Sequence, residues 1–194
     1  MKLLFIIVGC CCTAVSLAQP GLPLQQRLHQ FMEANRRLDF DTVIAYTYPK
    51  LFTLVPRDEV KESLVNAFEN DQVQIGLDSL KLDSVYPVFS MQGGSYAKIR
   101  YSMKMTMHVK NRETDSSKRQ EQNEAMLAAM QTQLGKEQVS LDTGGNIIMH
   151  VTALMLAAKD KYAKEWCFVN LKDGDPIVSQ LFSKEIIDKC ATYH

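Results

Sequence analysis

From Ser95 to Lys110 the chain alternates without interruption. Ala97, Ile99, Tyr101, Met103, Met105, Met107 and Val109 fall on one side of an extended backbone, and Lys98, Arg100, Ser102, Lys104, Thr106 and His108 on the other. Successive side chains of a strand point to opposite faces, so this run reads as one long strand with an apolar core face and a wet face; a helix cannot carry that period. A sheet solvated on one side is the usual setting of antiparallel strands.

The remaining segments arrange themselves around that strand. Leu24, Leu28, Phe31, Met32 and Leu38 recur at helical intervals over 24–38, and a shorter helical stretch follows over 41–48. Pro49 breaks the pattern. Pro56, Asp58 and Glu59 suit a new helix start, after which Val60, Leu64, Val65 and Phe68 share a face. The period then drops to two at Val73, Ile75 and Leu77, residues 85–91 are rich in strand formers, and Gly93 and Gly94 stand where a hairpin would turn. Between 111 and 138 a helical period returns, with Ser117 and Gln120 as a capping box, a stripe of Met126, Met130 and Leu134, and Gly135 as the stop. Two further strands, 146–158 and 162–171, are joined by Lys159, Asp160 and Lys161, and a helix over 177–189 closes the chain. Helices first and then long strands is an α+β order: N-terminal helices packed on an antiparallel sheet, with a helical insertion at about 115–136 and a C-terminal helix. It excludes the alternating βαβ pattern of nucleotide-binding sheets.

The first 18 residues read differently. Lys2 precedes an apolar run from Leu3 to Gly9, and Ser16, Leu17 and Ala18 place small residues at the cleavage positions, which is the order of a secretory signal peptide. The expectation is a cut after Ala18, leaving residues 19–194 as a single secreted or periplasmic domain. Ile7, Val8, Gly9 and Cys10 also match a bacterial lipobox, so a lipid anchor at Cys10 is the alternative cut, against which only nine residues precede that cysteine. No later run is long and apolar enough for a membrane span. Loss of the signal takes Cys10, Cys11 and Cys12 with it. Cys167 and Cys190 remain, and in an oxidising compartment they are a disulfide candidate, the other reading being two separately buried thiols. Removing Lys2 leaves one more acid than base, a balance with no footprint for nucleic acid or anionic membrane.

Few motifs carry chemistry. Asp142, Thr143 and Gly144 match the aspartic-protease triplet, but that reaction needs two such aspartates and the chain has one copy, flanked by Gly145 and Asn146 as in a polar turn. Met103, Met105, Met107 and His108 suit the soft-ligand chemistry of Cu(I), and a periplasmic copper-binding protein is one alternative; strand alternation, however, sends His108 to the face opposite the methionines. The histidines His29, His108, His150 and His194 have no metal spacing, and His150 shares its strand face with Asn146 and Thr152 at a wet surface or a cavity mouth. Neither a GxSxG elbow nor a phosphate-binding glycine loop is present, and no cofactor is expected.

The opening helices with Phe31, Asp39, Tyr46 and Pro49, the long strands, and the late strand Lys164, Glu165, Trp166, Cys167 and Phe168 resemble the NTF2-like (SnoaL-like) superfamily. More narrowly, Leu134 to Glu137, the turn from Ala157 to Tyr162, Trp166 to Leu171, and Leu181 to Glu185 resemble uncharacterised exported proteins of Bacteroidetes-type bacteria. The resemblance implies a strongly bent, cone-shaped sheet with a pocket between helices and sheet, for which Tyr46, Tyr48, Tyr101 and Trp166 are the candidate lining residues. The competing reading is that these rings fill the cone. A non-enzymatic module follows, binding a small apolar ligand or acting through a homodimer surface. The rival from another class is a small-molecule isomerase or dehydratase, which needs a buried ionisable pair inside the cone.

Overall fold

A computed structural model describes residues 22–110, 114–172 and 174–193. The expected signal segment, with Cys10, lies outside the described residues, as does His194.

Three helices open the fold: α1 (Leu24–Arg36), α2 (Phe40–Tyr46) and, after a 3-10 turn at Pro49–Thr53, α3 (Arg57–Phe68). The strands are β1 (Val73–Val85), β2 (Phe89–Met91), β3 (Gly94–Val109), β4 (Val139–Leu141), β5 (Ile147–Lys159) and β6 (Cys167–Asn170). Helix α4 (Ser116–Leu134) is inserted between β3 and β4. The expected single closing helix is two, α5 (Pro176–Leu181) and α6 (Lys184–Ala191), because Phe182 and Ser183 take extended backbone between them.

The pairings between the named strands are antiparallel, in the order β1-β3-β5-β4 with β2 on β3 and β6 on β5, and the sheet does not close on itself. The β2–β3 hairpin turns at Gln92 and Gly93, both left-handed (φ 51° and 76°), the two-residue geometry whose twist matches the strands it joins. Strand β1 slips register twice against β3, at Asp78 and Asp83. Such bulges bend a strand and deepen its twist, and here Thr106 Oγ1 donates to Asp78 at 2.6 Å and Ser102 Oγ to Asp83 at 3.0 Å.

One face of the sheet carries Ala97, Ile99, Met155, Ala157 and Phe168 under α1, and farther along Met107, Ile147 and Met149 under α4. The opposite face is not uniformly wet. Tyr96 and Lys98 on β3, with Leu156 and Ala158 on β5, are buried beneath α5, α6 and the 3-10 turn. Lys98 is stabilised there because its Nζ donates to the Tyr193 carbonyl at 2.6 Å and lies 5.4 Å from the Tyr86 ring centre. Only the distal half of that face, with exposed His108, His150 and Thr152, matches the alternation read from sequence.

Other expectations are corrected locally. Residues 160–163 form a turn rather than the start of a strand, since the Asp160 carboxylate accepts the Tyr162 and Ala163 backbone N–H groups at 2.9 and 3.2 Å. Helix α4 is capped by Asp115, which accepts from Ser117 and Lys118, while Gln120 bonds Glu124 instead of closing a capping box. Cys167 and Cys190 are free thiols buried in the same core cluster, so the disulfide candidate is not formed; the Arg27 side chain also reaches Cys167.

Candidate functional site

The helices do not pack flush on the sheet. A cavity of about 340 Å³ lies between α1, α2 and α3 on one side and β1, β3, β5 and β6 on the other, with α5 and Leu51 at one end. Its origin is visible in α3. The stripe Val60, Leu64 and Phe68 turns inward yet stays half-buried, because it borders this space, and Val65, expected on the same face, is 40% exposed. Between α1 and α2 the chain turns at Leu38 in the left-handed region (φ 54°), a conformation rare for leucine, and Leu38 also lines the cavity. Asp39 then caps α2, accepting the Thr42 N–H at 3.1 Å.

The polar groups of this cavity are few. Tyr101 is buried and its hydroxyl donates to Asn170 Oδ1 at 3.0 Å; burial pushes its pKa upward, so it stays a protonated donor. Asn35 Nδ2 and Thr47 Oγ1 are spent on backbone carbonyls of their own helices. Asp175, half-buried, caps α5 by accepting the Ile177 N–H at 2.8 Å, and it is the one charged residue among the described lining residues. No lysine, arginine or histidine is among its described lining residues.

The four aromatic candidates are not brought together. Tyr101 lines the cavity. Tyr46 and Trp166 belong to a clamp on Arg27, whose guanidinium lies 4.5 Å from the Tyr46 ring centre and whose Nε donates to the Trp166 carbonyl at 2.7 Å; Glu165 pairs with the same guanidinium. Tyr48 is on the other face of the sheet, stacked on Phe182 at 5.0 Å, at the floor of a second, more polar cavity of about 410 Å³. There the Tyr48 hydroxyl donates to Asp160 Oδ2 at 2.6 Å and Tyr96 to the same oxygen at 3.3 Å. Burial first, then the neighbouring carboxylate, raises both phenols, Tyr96 to about 12. Because Asp160 also holds its own turn, this cluster reads as a staple joining the 3-10 turn, β3 and the β5–β6 turn.

The remaining sequence candidates are separate. His108 is exposed on the face opposite the methionines, its Nδ1 at 3.1 Å from Asn146 Oδ1, while Met105 and Met107 pack under α4. No group of three or more His, Cys, Asp or Glu among the described residues could hold a metal ion. Asp142 accepts the backbone and side-chain N–H groups of Asn146, both at 2.8 Å, and so builds the β4–β5 turn. His150 is exposed and lines neither cavity. Sequence reasoning missed Asn170 and Asp175, although Asp175 followed by Pro176 is a legible helix start. The site can hold an apolar body and hydrogen-bond one polar end; the titratable groups among its described lining residues are Asp175 and Tyr101.

No protein-family profile, curated protein or solved structure matches this chain.

Proposed function

We propose that this protein is an exported, non-enzymatic binding module of the NTF2-like kind, holding a small apolar ligand between its N-terminal helices and its sheet. The observation that carries the reading is the half-buried stripe of α3 over an apolar-lined space of about 340 Å³, within the range of small-molecule sites. The helices-first order and the bulged, open antiparallel sheet support the NTF2-like assignment. The left-handed Leu38 at the cavity wall is a local strain of a kind that concentrates at ligand clamps. Decan-1-ol titrated by calorimetry tests the reading. Binding is expected, and Leu64→Trp, which fills the space from α3, should abolish it while circular dichroism stays unchanged. Equal binding by both proteins, or none by the native chain, overturns the proposal. Export is tested apart by N-terminal sequencing of the processed protein, with Gln19 first as the expected result and a lipidated Cys10 as the contrary one.

A further inference from the structure

We infer that the helix-sheet cavity selects by charge: its ligand is a neutral or cationic amphiphile with a hydrogen-donating head, and anionic amphiphiles such as fatty acids are rejected. This rests on the cavity-binding reading above and adds which chemistry the cavity admits.

The argument begins with what lines the space. Its described walls are apolar apart from a few groups, and the one charge among them is the Asp175 carboxylate. Lys172, the nearest basic residue along the chain, is exposed and is not a lining residue. A ligand carboxylate would find no cation among the described lining residues and would bring a second negative charge beside the first, in a half-buried place where the repulsion is stronger than in bulk water.

The hydrogen-bond inventory points the same way. One oxygen of Asp175 accepts the Ile177 N–H; its other oxygen receives no hydrogen bond from a described residue. The Tyr101 hydroxyl engages Asn170 Oδ1, which leaves the Asn170 amide N–H groups for an outside acceptor. Asn170 is exposed while still lining the cavity, which places it at the mouth, five positions before Asp175 on the segment leading into α5. A hydroxyl can donate to Asp175 and accept from Asn170. An ammonium can donate to Asp175 and gains its charge. A carboxylate can only accept, so it forfeits Asp175.

The test compares three probes of equal chain length, decan-1-ol, decylamine and decanoate, titrated calorimetrically into the native chain and into Asp175→Asn at neutral pH. Asparagine caps helices as well as aspartate does, so the variant keeps the Ile177 bond and the fold. In the native protein decanoate should bind at least about tenfold more weakly than decylamine, and Asp175→Asn should close that gap while changing decan-1-ol affinity by less than about threefold. Decanoate binding as tightly as decylamine, or a gap that survives Asp175→Asn, overturns the charge selection and leaves the cavity reading standing. Failure of all three probes overturns both.

Discussion

Replacing Tyr48 with phenylalanine removes one hydroxyl from the staple at Asp160 and little else. The ring is 1% exposed and stacked on Phe182, and phenylalanine keeps that packing. What is lost is the O–H donated to Asp160 Oδ2 at 2.6 Å. A hydrogen bond to a charged group contributes about 1.5–3 kcal/mol. Asp160 keeps Tyr96 on the same oxygen at 3.3 Å and opens on the second cavity, so the loss falls at the low end, about 1.5 kcal/mol. With a urea slope of about 2 kcal/mol per molar, the unfolding midpoint should drop by about 0.75 M at unchanged slope.

The pH dependence gives a second, independent signature. Burial, followed by the Asp160 hydrogen bond, holds the Tyr48 phenol far above its ordinary value. In the unfolded chain it titrates near 10. Above that pH the unfolded state binds fewer protons than the folded one, so the contribution of Tyr48 is whole below about pH 10 and is lost as pH rises, at about 1.4 kcal/mol per unit. The native protein carries this loss and Tyr48→Phe does not. Cys190 and the other titrating groups away from Asp160 are common to both proteins and cancel in the difference. A deficit of about 1.5 kcal/mol at about pH 8 should therefore close by about pH 11. Equal stability at the lower pH, or a deficit that stays constant to the higher one, refutes the staple.

Phe168→Ala should cost about 3–5 kcal/mol in a urea melt, because Phe168 is 1% exposed and stacked on Phe31 at 4.7 Å. Cys167 and Cys190 are both buried, and burial pushes Cys190 up to about 11 and Cys167 upward. Without reductant, iodoacetamide at neutral pH should therefore leave both unmodified in the folded protein and label both in denaturant; a disulfide would leave both unlabelled throughout. Met105 sits opposite Met149 beneath α4, so Met105→Leu should cost less than about 1.5 kcal/mol. It should also leave Cu(I) titrations no tighter than micromolar in both proteins, and a tight site lost on that substitution would restore the copper reading.

Local periods made much of the fold legible. The two-residue alternation of β3, the turn at Gly93 and the inserted helix α4 all depend on chemistry within a few residues, and each stands within a residue or two of its expected place. Two things were not local. The buried even face of β3, Tyr96 and Lys98, is covered by α5 and α6 from the far end of the chain, and alternation alone reports a polar lysine as wet. Likewise the periodicity of Val60, Leu64 and Phe68 tells which side of α3 turns inward, but not whether it meets protein or empty space. The aromatic set is dispersed for a different reason. Tyr46, Tyr48, Tyr101 and Trp166 were joined by a resemblance, whereas the sheet separates Tyr48 from Tyr101 and Arg27 claims the other two. Cysteine spacing says nothing about where two Cβ atoms point, so it could not separate a bond from two thiols.

The two sides of the sheet divide the work. On one, Asp160, Lys50 and Lys98 tie distant segments together: Lys50 Nζ donates to the Gln180 and Leu181 carbonyls at 2.9 and 2.6 Å, closing the end of α5, while Lys98 holds the chain at Tyr193. On the other, α3 has no fully buried side chain, and its ties to α2 are the exposed Lys61–Asp41 pair and a tilted Phe40–Phe68 contact at 5.7 Å. An exposed ion pair contributes under about 1 kcal/mol. Elements with few buried apolar contacts open first. Helix α3 is therefore, with α4, among the helices held by the least burial, and because it also forms one wall of the cavity, loose packing borders that space.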